Sequence, residues 1–154
     1  MVDLGLTHIA LPVSDLDASL AFYQTYAEMQ VVHERADPRT GTRVAWIGDG
    51  TRPFVIVLVE ADQVEHPLVP LSHLGVGCDS REEIDRRAAR AHGEGRPVWG
   101  PTDSGPPVGY WALIADPDHH TLELSHGQEV GLAVANAFEE ATRDPAGPTG
   151  KESS

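Results

Sequence analysis

The strongest constraint on how this chain folds is that part of it occurs twice. The run LTHIAL (Leu6 to Leu11) returns as LSHLGV (Leu71 to Val76), 65 residues later. Each copy is a β-like run with histidine in third place. Each is followed by turn residues and then by apolar residues at helical spacing. After the first copy, Ser14 and Asp15 are candidate caps for a helix over Asp15–Glu28, striped by Leu16, Leu20, Tyr23 and Ala27. After the second, Asp79 and Ser80 precede a helix over Arg81–His92 with Ile84, Ala88 and Ala91 on its apolar side. Ser80 and Glu83 have the spacing at which hydroxyl and carboxylate satisfy each other's unpaired backbone N–H groups. Three further β-like stretches follow each helix. They are Gln30–Ala36, Thr42–Gly48 and Pro53–Glu60 in the first half, and Pro97–Gly100, Tyr110–Ala115 and His120–His126 in the second.

The order βαβββ therefore occurs twice, and the predicted class is α+β. One such unit of about 60 residues buries its sheet poorly on its own. Two modules, about residues 4–62 and 70–127, are thus expected side by side as one domain over 1–127, joined near Pro67 and Pro70. Beyond them, Val130, Val134 and Phe138 recur every four residues and predict a C-terminal helix within 128–142. The run RDPAGPTGKESS, from Arg143, is rich in Pro, Gly and Ser and reads as a disordered tail over 143–154.

Side chains alternate across a strand, so the repeat also sorts residues by face. Thr7, Ile9, Leu11 and Val13 share one side of the first run, and His8 and Ala10 the other. In the second copy Leu74, Val76 and Cys78 oppose His73, Gly75 and Gly77. In the last strand Leu122 and Leu124 oppose Glu123 and Ser125. One side is aliphatic and suited to packing under helices. The other holds His8, His73 and Glu123 with small neighbours that leave room for an ion and a ligand. Two imidazoles and a carboxylate suit Zn, Ni, Mn or Fe(II). Three protein ligands leave positions open, as a catalytic site needs.

Composition removes other classes. With 11 Lys+Arg against 24 Asp+Glu, the chain carries a formal charge of −13. That argues against nucleic acid or an anionic membrane as partner, because phosphates call for clustered cations. No apolar run approaches the roughly 18 residues of a membrane span, and the N-terminus lacks a basic signal-peptide region. Cys78 is the single cysteine, so no internal disulfide forms and a reducing cytoplasm is the expected location. Cys78 itself reads as a small buried hydrophobe.

HIALPVSDLDASLAFY at the start, SHLGVGCDS in the middle and DPDHHTLELSHG near the end resemble the vicinal oxygen chelate superfamily. That group spans glyoxalase I, extradiol dioxygenases, fosfomycin-modifying enzymes and bleomycin-resistance proteins. The resemblance covers about residues 4–127, with His119 standing where the family's Asp-Pro-Asp-Gly turn has glycine. It implies two βαβββ modules forming cupped sheets around a divalent metal, with His8, His73 and Glu123 as ligands. It also implies a homodimer, in some members with each metal site shared between chains. Glyoxalase I adds an acidic ligand on the fourth strand. The best match here is Val57, or Leu58 after a one-residue slip, and the nearest acid is Glu60.

The expected function is a metal-dependent, glyoxalase-like enzyme, a lyase or isomerase, whose small substrate chelates the ion through adjacent oxygens. An extradiol-type Fe(II) dioxygenase and a drug-binding protein of the bleomycin-resistance kind are the alternatives. Glu123 is the candidate proton carrier, and Tyr110 and His126 are candidate polar groups beside it. Trp46 and Trp111 read as aromatic core or else as cavity lining, Arg35 and Arg43 as solvated strand residues or else as contacts for an anionic substrate, and Pro101–Tyr110, rich in Gly and Pro, as a candidate mobile loop over the site.

Overall fold

The structure, a computed structural model, describes residues 5–143. In chain order the elements are β1 (His8–Val13), α1 (Leu16–Ala27), β2 (Gln30–Ala36), β3 (Arg43–Gly48), β4 (Val55–Glu60), β5 (Leu74–Gly77), α2 (Arg81–Gly93), β6 (Val98–Asp103), β7 (Tyr110–Ala115), β8 (Thr121–His126) and α3 (Val130–Arg143). Two four-stranded mixed sheets result, ordered β1-β4-β3-β2 and β5-β8-β7-β6. In each, the module's first strand runs parallel to its last, and the remaining pairs are antiparallel. The duplicated α+β arrangement expected from the repeat is the one observed.

The caps explain where the helices begin. The Asp15 carboxylate accepts the Ala18 N–H at 2.9 Å, and the Ser80 hydroxyl accepts the Glu83 N–H at 3.3 Å. Two boundaries differ from expectation. The second repeat strand starts at Leu74 because Ser72 N–H donates to Val69 O at 2.6 Å, curling the segment before it into a turn. The sixth strand does not stop at Gly100. It continues to Asp103 across a register shift between Trp99 and Thr102. Glycine serves there because its φ is +85° and a Cβ would stand 2.9 Å from the Trp111 carbonyl oxygen. Pro101–Tyr110 is accordingly split between β6, a turn and the first residue of β7. His119, in the glycine position of its turn, adopts the left-handed conformation at φ 69°. The expected tail lies outside the described residues except for Arg143, which ends α3.

Helices α1 and α2 each lie on one side of a sheet and share one core. Leu16, Phe22 and Tyr26 of α1 and Ile84, Ala88 and Ala91 of α2 pack with Leu11, Leu58, Leu122 and Leu124 of the sheets. The modules are tied together by polar contacts around this core. Arg87 of α2 donates to the Tyr26 carbonyl at 2.7 Å and to Glu28 at 2.6 Å, and the Tyr26 hydroxyl donates to Glu94 at 2.8 Å. Asp116 accepts the Tyr23 hydroxyl at 3.0 Å and the His120 N–H at 2.8 Å. Burial pushes both the Asp116 carboxyl and the Tyr23 phenol up from their ordinary ranges. Ser14 donates to Asp118 through both its backbone N–H and its hydroxyl.

His120 occupies the centre of this seam, 1% exposed. Its Nδ1 accepts the Leu68 N–H at 3.0 Å, so the proton sits on Nε2, which donates to the Pro12 carbonyl at 2.8 Å. One ring thus satisfies backbone groups from the first module and from the linker. Each buried partner left unpaired costs about 1–3 kcal/mol. His120→Ala is expected to lower unfolding stability by about 3 kcal/mol in urea titration.

Acid sensitivity follows from the ion pairs of α2. Hydrogen bonds from Arg86 and Arg87 lower the Glu83 carboxyl to about 2, against 4.5 in an unfolded chain. Its stabilising contribution is therefore present above pH 4.5 and is lost as pH falls from 4.5 to 2. The thermal midpoint of the wild type is expected to fall more steeply across that window than that of Glu83→Gln.

Candidate functional site

Because the helices cover one side of each sheet, the opposite faces are left free. Strand register arranges their residues in cross-strand rows. On the first sheet one row reads Ala10, Val57, Trp46 and His33, and the next reads Pro12, Val59, Val44 and Arg35. His8 stands beside Val55 at the near end. These residues form a concave cavity of about 450 Å³ that includes His8, Trp46, Arg35 and all three valines of β4 on this face. The second sheet carries the equivalent row, Gly75, Glu123, Leu113 and Trp99.

The two rows can be superposed position by position. Ala10 and Gly75 each lie two residues after the repeated histidine, and their partners on the last strands are Val57 and Glu123. Val57 is thus the first-module counterpart of Glu123, as the sequence match indicated. Neighbouring registers do not restore an acid, since this face of β4 presents Val55, Val57 and Val59. Glu60 pairs with the fully buried Val13 and so points with the helix-facing set.

His73 and Glu123 meet, with Nε2 and Oε2 3.3 Å apart. The His73 Nδ1–H donates to the Pro70 carbonyl at 3.0 Å, which leaves the Nε2 lone pair directed toward the carboxylate. The Gln128 amide, just beyond β8, donates to the other Glu123 oxygen at 3.2 Å. Gln128 escaped the sequence reading because it stands outside the strand pattern. Its only signal is its closeness to the last motif. His8, hydrogen bonded through Nδ1 to the Thr7 hydroxyl at 3.0 Å, belongs to the other sheet. Among the described residues, one chain alone gathers no three His, Cys, Asp or Glu side chains placed to share an ion.

Tyr110 and His126, expected beside Glu123, stand elsewhere. They pair with each other, two residues along from the buried Ala112–Leu124 pair, and so face the helices. The Tyr110 hydroxyl donates to Asp85 of α2 at 2.6 Å, a bond that raises its phenol above the usual range, and the Arg81 guanidinium lies over its ring. His126 donates from Nδ1 to the Cys78 carbonyl at 3.1 Å. The alternation that placed Glu123 on the free face already assigned His126 to the opposite one. Cys78 packs against the core as expected, and burial pushes its thiol up.

The two arginines divide. Arg43 is bound to Asp17 at 2.9 Å and Glu34 at 2.8 Å, whereas Arg35 lines the first-sheet cavity and makes no ion pair among the described residues. Trp46 lines the same cavity, its ring 4.9 Å from that of His33. Trp111 lies on the free side of the second sheet, its indole N–H donating to the Ser104 hydroxyl at 2.9 Å.

The model of the Glyoxalase/Bleomycin resistance protein/Dioxygenase superfamily matches residues 5–124, and the chain belongs to that family. It is 38% identical to an uncharacterised protein of Pseudomonas aeruginosa over 82% of this chain and 91% of the relative. It is 27% identical to the lactoylglutathione lyase of Salmonella typhimurium over 86% of this chain and the whole of that enzyme. Among solved structures, the trypanothione-dependent glyoxalase I of Leishmania major has a TM-score of 0.67 at 19% identity, covering 93% of this chain and 99% of that one. A fosfomycin resistance protein of Listeria monocytogenes, in complex with Mn(II) and dihydroxypropylphosphonic acid, has a TM-score of 0.66 at 22% identity, covering 86% and 99%. The family thus includes metal-dependent enzymes acting on small molecules. Among the described residues, no helix is long and apolar enough to cross a membrane.

Tyr110→Phe is expected to lower the thermal midpoint slightly, through loss of the bond to Asp85.

Proposed function

We propose that this protein is a divalent-metal-dependent, glyoxalase-like enzyme whose small substrate chelates the ion through adjacent oxygens. His73 and Glu123 of one protomer would hold the ion together with His8 of a second, so that a two-fold dimer contains two sites. The observation that carries this reading is the 3.3 Å approach of His73 Nε2 to Glu123 Oε2, with His73 Nδ1–H tied to a backbone carbonyl. That tautomer is the one a metal-binding imidazole needs. Nitrogen and carboxylate donors suit Zn, Ni, Mn or Fe(II). When bound, the ion would supply Lewis-acid polarisation of the substrate oxygens.

The chain's own contribution is orientation and proton handling. Gln128 fixes one Glu123 oxygen and leaves the other toward His73. Glu123 is then the group placed to accept a substrate proton. The valine face of β4 supplies no second carboxylate, which weakens a two-base proton shuttle on a glutathione hemithioacetal. The same absence supports a second reading, ring cleavage of a catechol at Fe(II), which uses two histidines and one carboxylate. A cytoplasmic location and partners limited to small molecules and a second copy fit the acidic charge.

Elemental analysis after reconstitution tests the proposal. One metal per chain is expected in the wild type, with loss in His8→Ala, His73→Ala and Glu123→Gln. Absence of stoichiometric metal in the wild type would overturn the enzyme reading in favour of sequestration. Shared sites make a further demand. Mixing and re-pairing His8→Ala with His73→Ala chains should restore about a quarter of the metal capacity, because each mixed dimer holds one intact site. No recovery would mean that the ligands do not come from two chains.

Gln128→Leu is expected to weaken metal binding about tenfold, the usual scale for losing a group that orients a ligand. Oxygen uptake with catechols separates the dioxygenase from the lyase. Methylglyoxal with glutathione is expected to turn over weakly or not at all.

A further inference from the structure

The cavity on the first sheet has a composition that the ion site does not require. Val44, Val55, Val57 and Val59 form its floor with Ala10, and Trp46 stands among them. The polar side chains at its edge are Thr7, His8 and Arg35. A glutathione adduct, a peptide with several charges and amides, would leave most of its polar groups unpaired against such a floor. The surface instead suits carbon, and a ring most of all, since Trp46 presents an aromatic flank.

Arg35 adds direction. It lines the cavity, and its guanidinium makes no ion pair among the described residues, unlike Arg43 on the neighbouring strand. Its row, Arg35–Val44–Val59–Pro12, puts it on the far strand of the sheet from His8. On a flat sheet the two Cα positions would stand roughly 19 Å apart, from a strand spacing of about 4.8 Å and a rise of about 3.3 Å per residue. Both side chains reach inward from those points. A volume of about 450 Å³ between them lies within the range of small-molecule sites.

We infer that this cavity binds an apolar organic anion, aromatic or branched, with its acidic group on Arg35 and its body on the valines and Trp46. Building on the proposed metal site, such a molecule would present its adjacent oxygens at the opposite end, toward His8. The inference concerns this chain's own first-sheet residues and requires no metal for the binding step.

Metal-free full-length protein titrated calorimetrically with 2-naphthoate and its neutral isostere 2-naphthamide tests it. Naphthoate is expected to bind once per chain and to quench tryptophan fluorescence, with the quench lost in Trp46→Phe. Arg35→Gln is expected to weaken naphthoate about tenfold, the scale of a hydrogen bond to a charged group. The same variant should leave naphthamide affinity unchanged, a control that a misfolded protein would fail. Equal naphthoate affinity in wild type and Arg35→Gln would overturn the inference, as would naphthamide binding as tightly as naphthoate. No naphthoate binding would also overturn it, including the case in which a second copy fills the cavity. Because the titration is metal-free, it is separable from the metal stoichiometry. Normal metal loading without naphthoate binding removes this inference alone, and naphthoate binding without metal loading removes only the metal-enzyme reading.

Discussion

The His120 imidazole, held between Leu68 N–H and the Pro12 carbonyl, is the contact on which the shape of this molecule turns. It stands where the end of the first strand, the linker and the last strand's turn converge. A buried ring with both nitrogens engaged admits one arrangement of those three backbones, because a shift of either module would orphan a buried polar group. Asp116 and Tyr23 extend the same seam along α1, and Arg87 closes its far side on the Tyr26 carbonyl. The core supplies most of the attraction between the modules, but it is non-directional. The polar seam fixes how they meet.

That fixed arrangement has a direct bearing on the site. With α1, its aromatic side chains and α2 packed on one side of the sheets, His8 stands on the free face of the first and His73 approaches Glu123 on that of the second. In the proposed arrangement the repeat would equip one chain with two half-sites on separate sheets. A second copy related by a two-fold axis would present the complementary half to each. This is the physical content of the proposal that His8 and the His73–Glu123 pair come from different protomers.

Much of this was legible in the sequence. Repeated HIAL-like runs fixed the βαβββ order, and alternation alone put Leu11 and Val13 inward and His8 outward, as the burial of those residues shows. The pairing of Val57 with Ala10 likewise matched the position inferred for the missing acid. Besides Gln128, three things were not legible. The start of the fifth strand depends on a turn closed by Val69 O, which has no local signature. The continuation through Gly100 and Pro101 runs against their usual role as breakers, because a register shift accommodates them. Tyr110 and His126 have the chemical type of site residues and lie at the ends of the last two strands. Parity, which orders the rest of the site, assigns them to Asp85 and the Cys78 carbonyl on the other face.

A valine at position 57 would matter beyond the proton shuttle that an acid there would support. Glu123 and Val57 occupy matching places in a duplicated unit, so the two halves have diverged at the position that sets local charge. A divalent ion held by two neutral imidazoles and one carboxylate would keep a net positive charge, where two carboxylates would cancel it. In a chain with a formal charge of −13, that would make the paired site an island of opposite sign. The duplication would then have separated two tasks that a symmetric pair performs twice: one half balances the ion, and the other accommodates the carbon skeleton of the ligand.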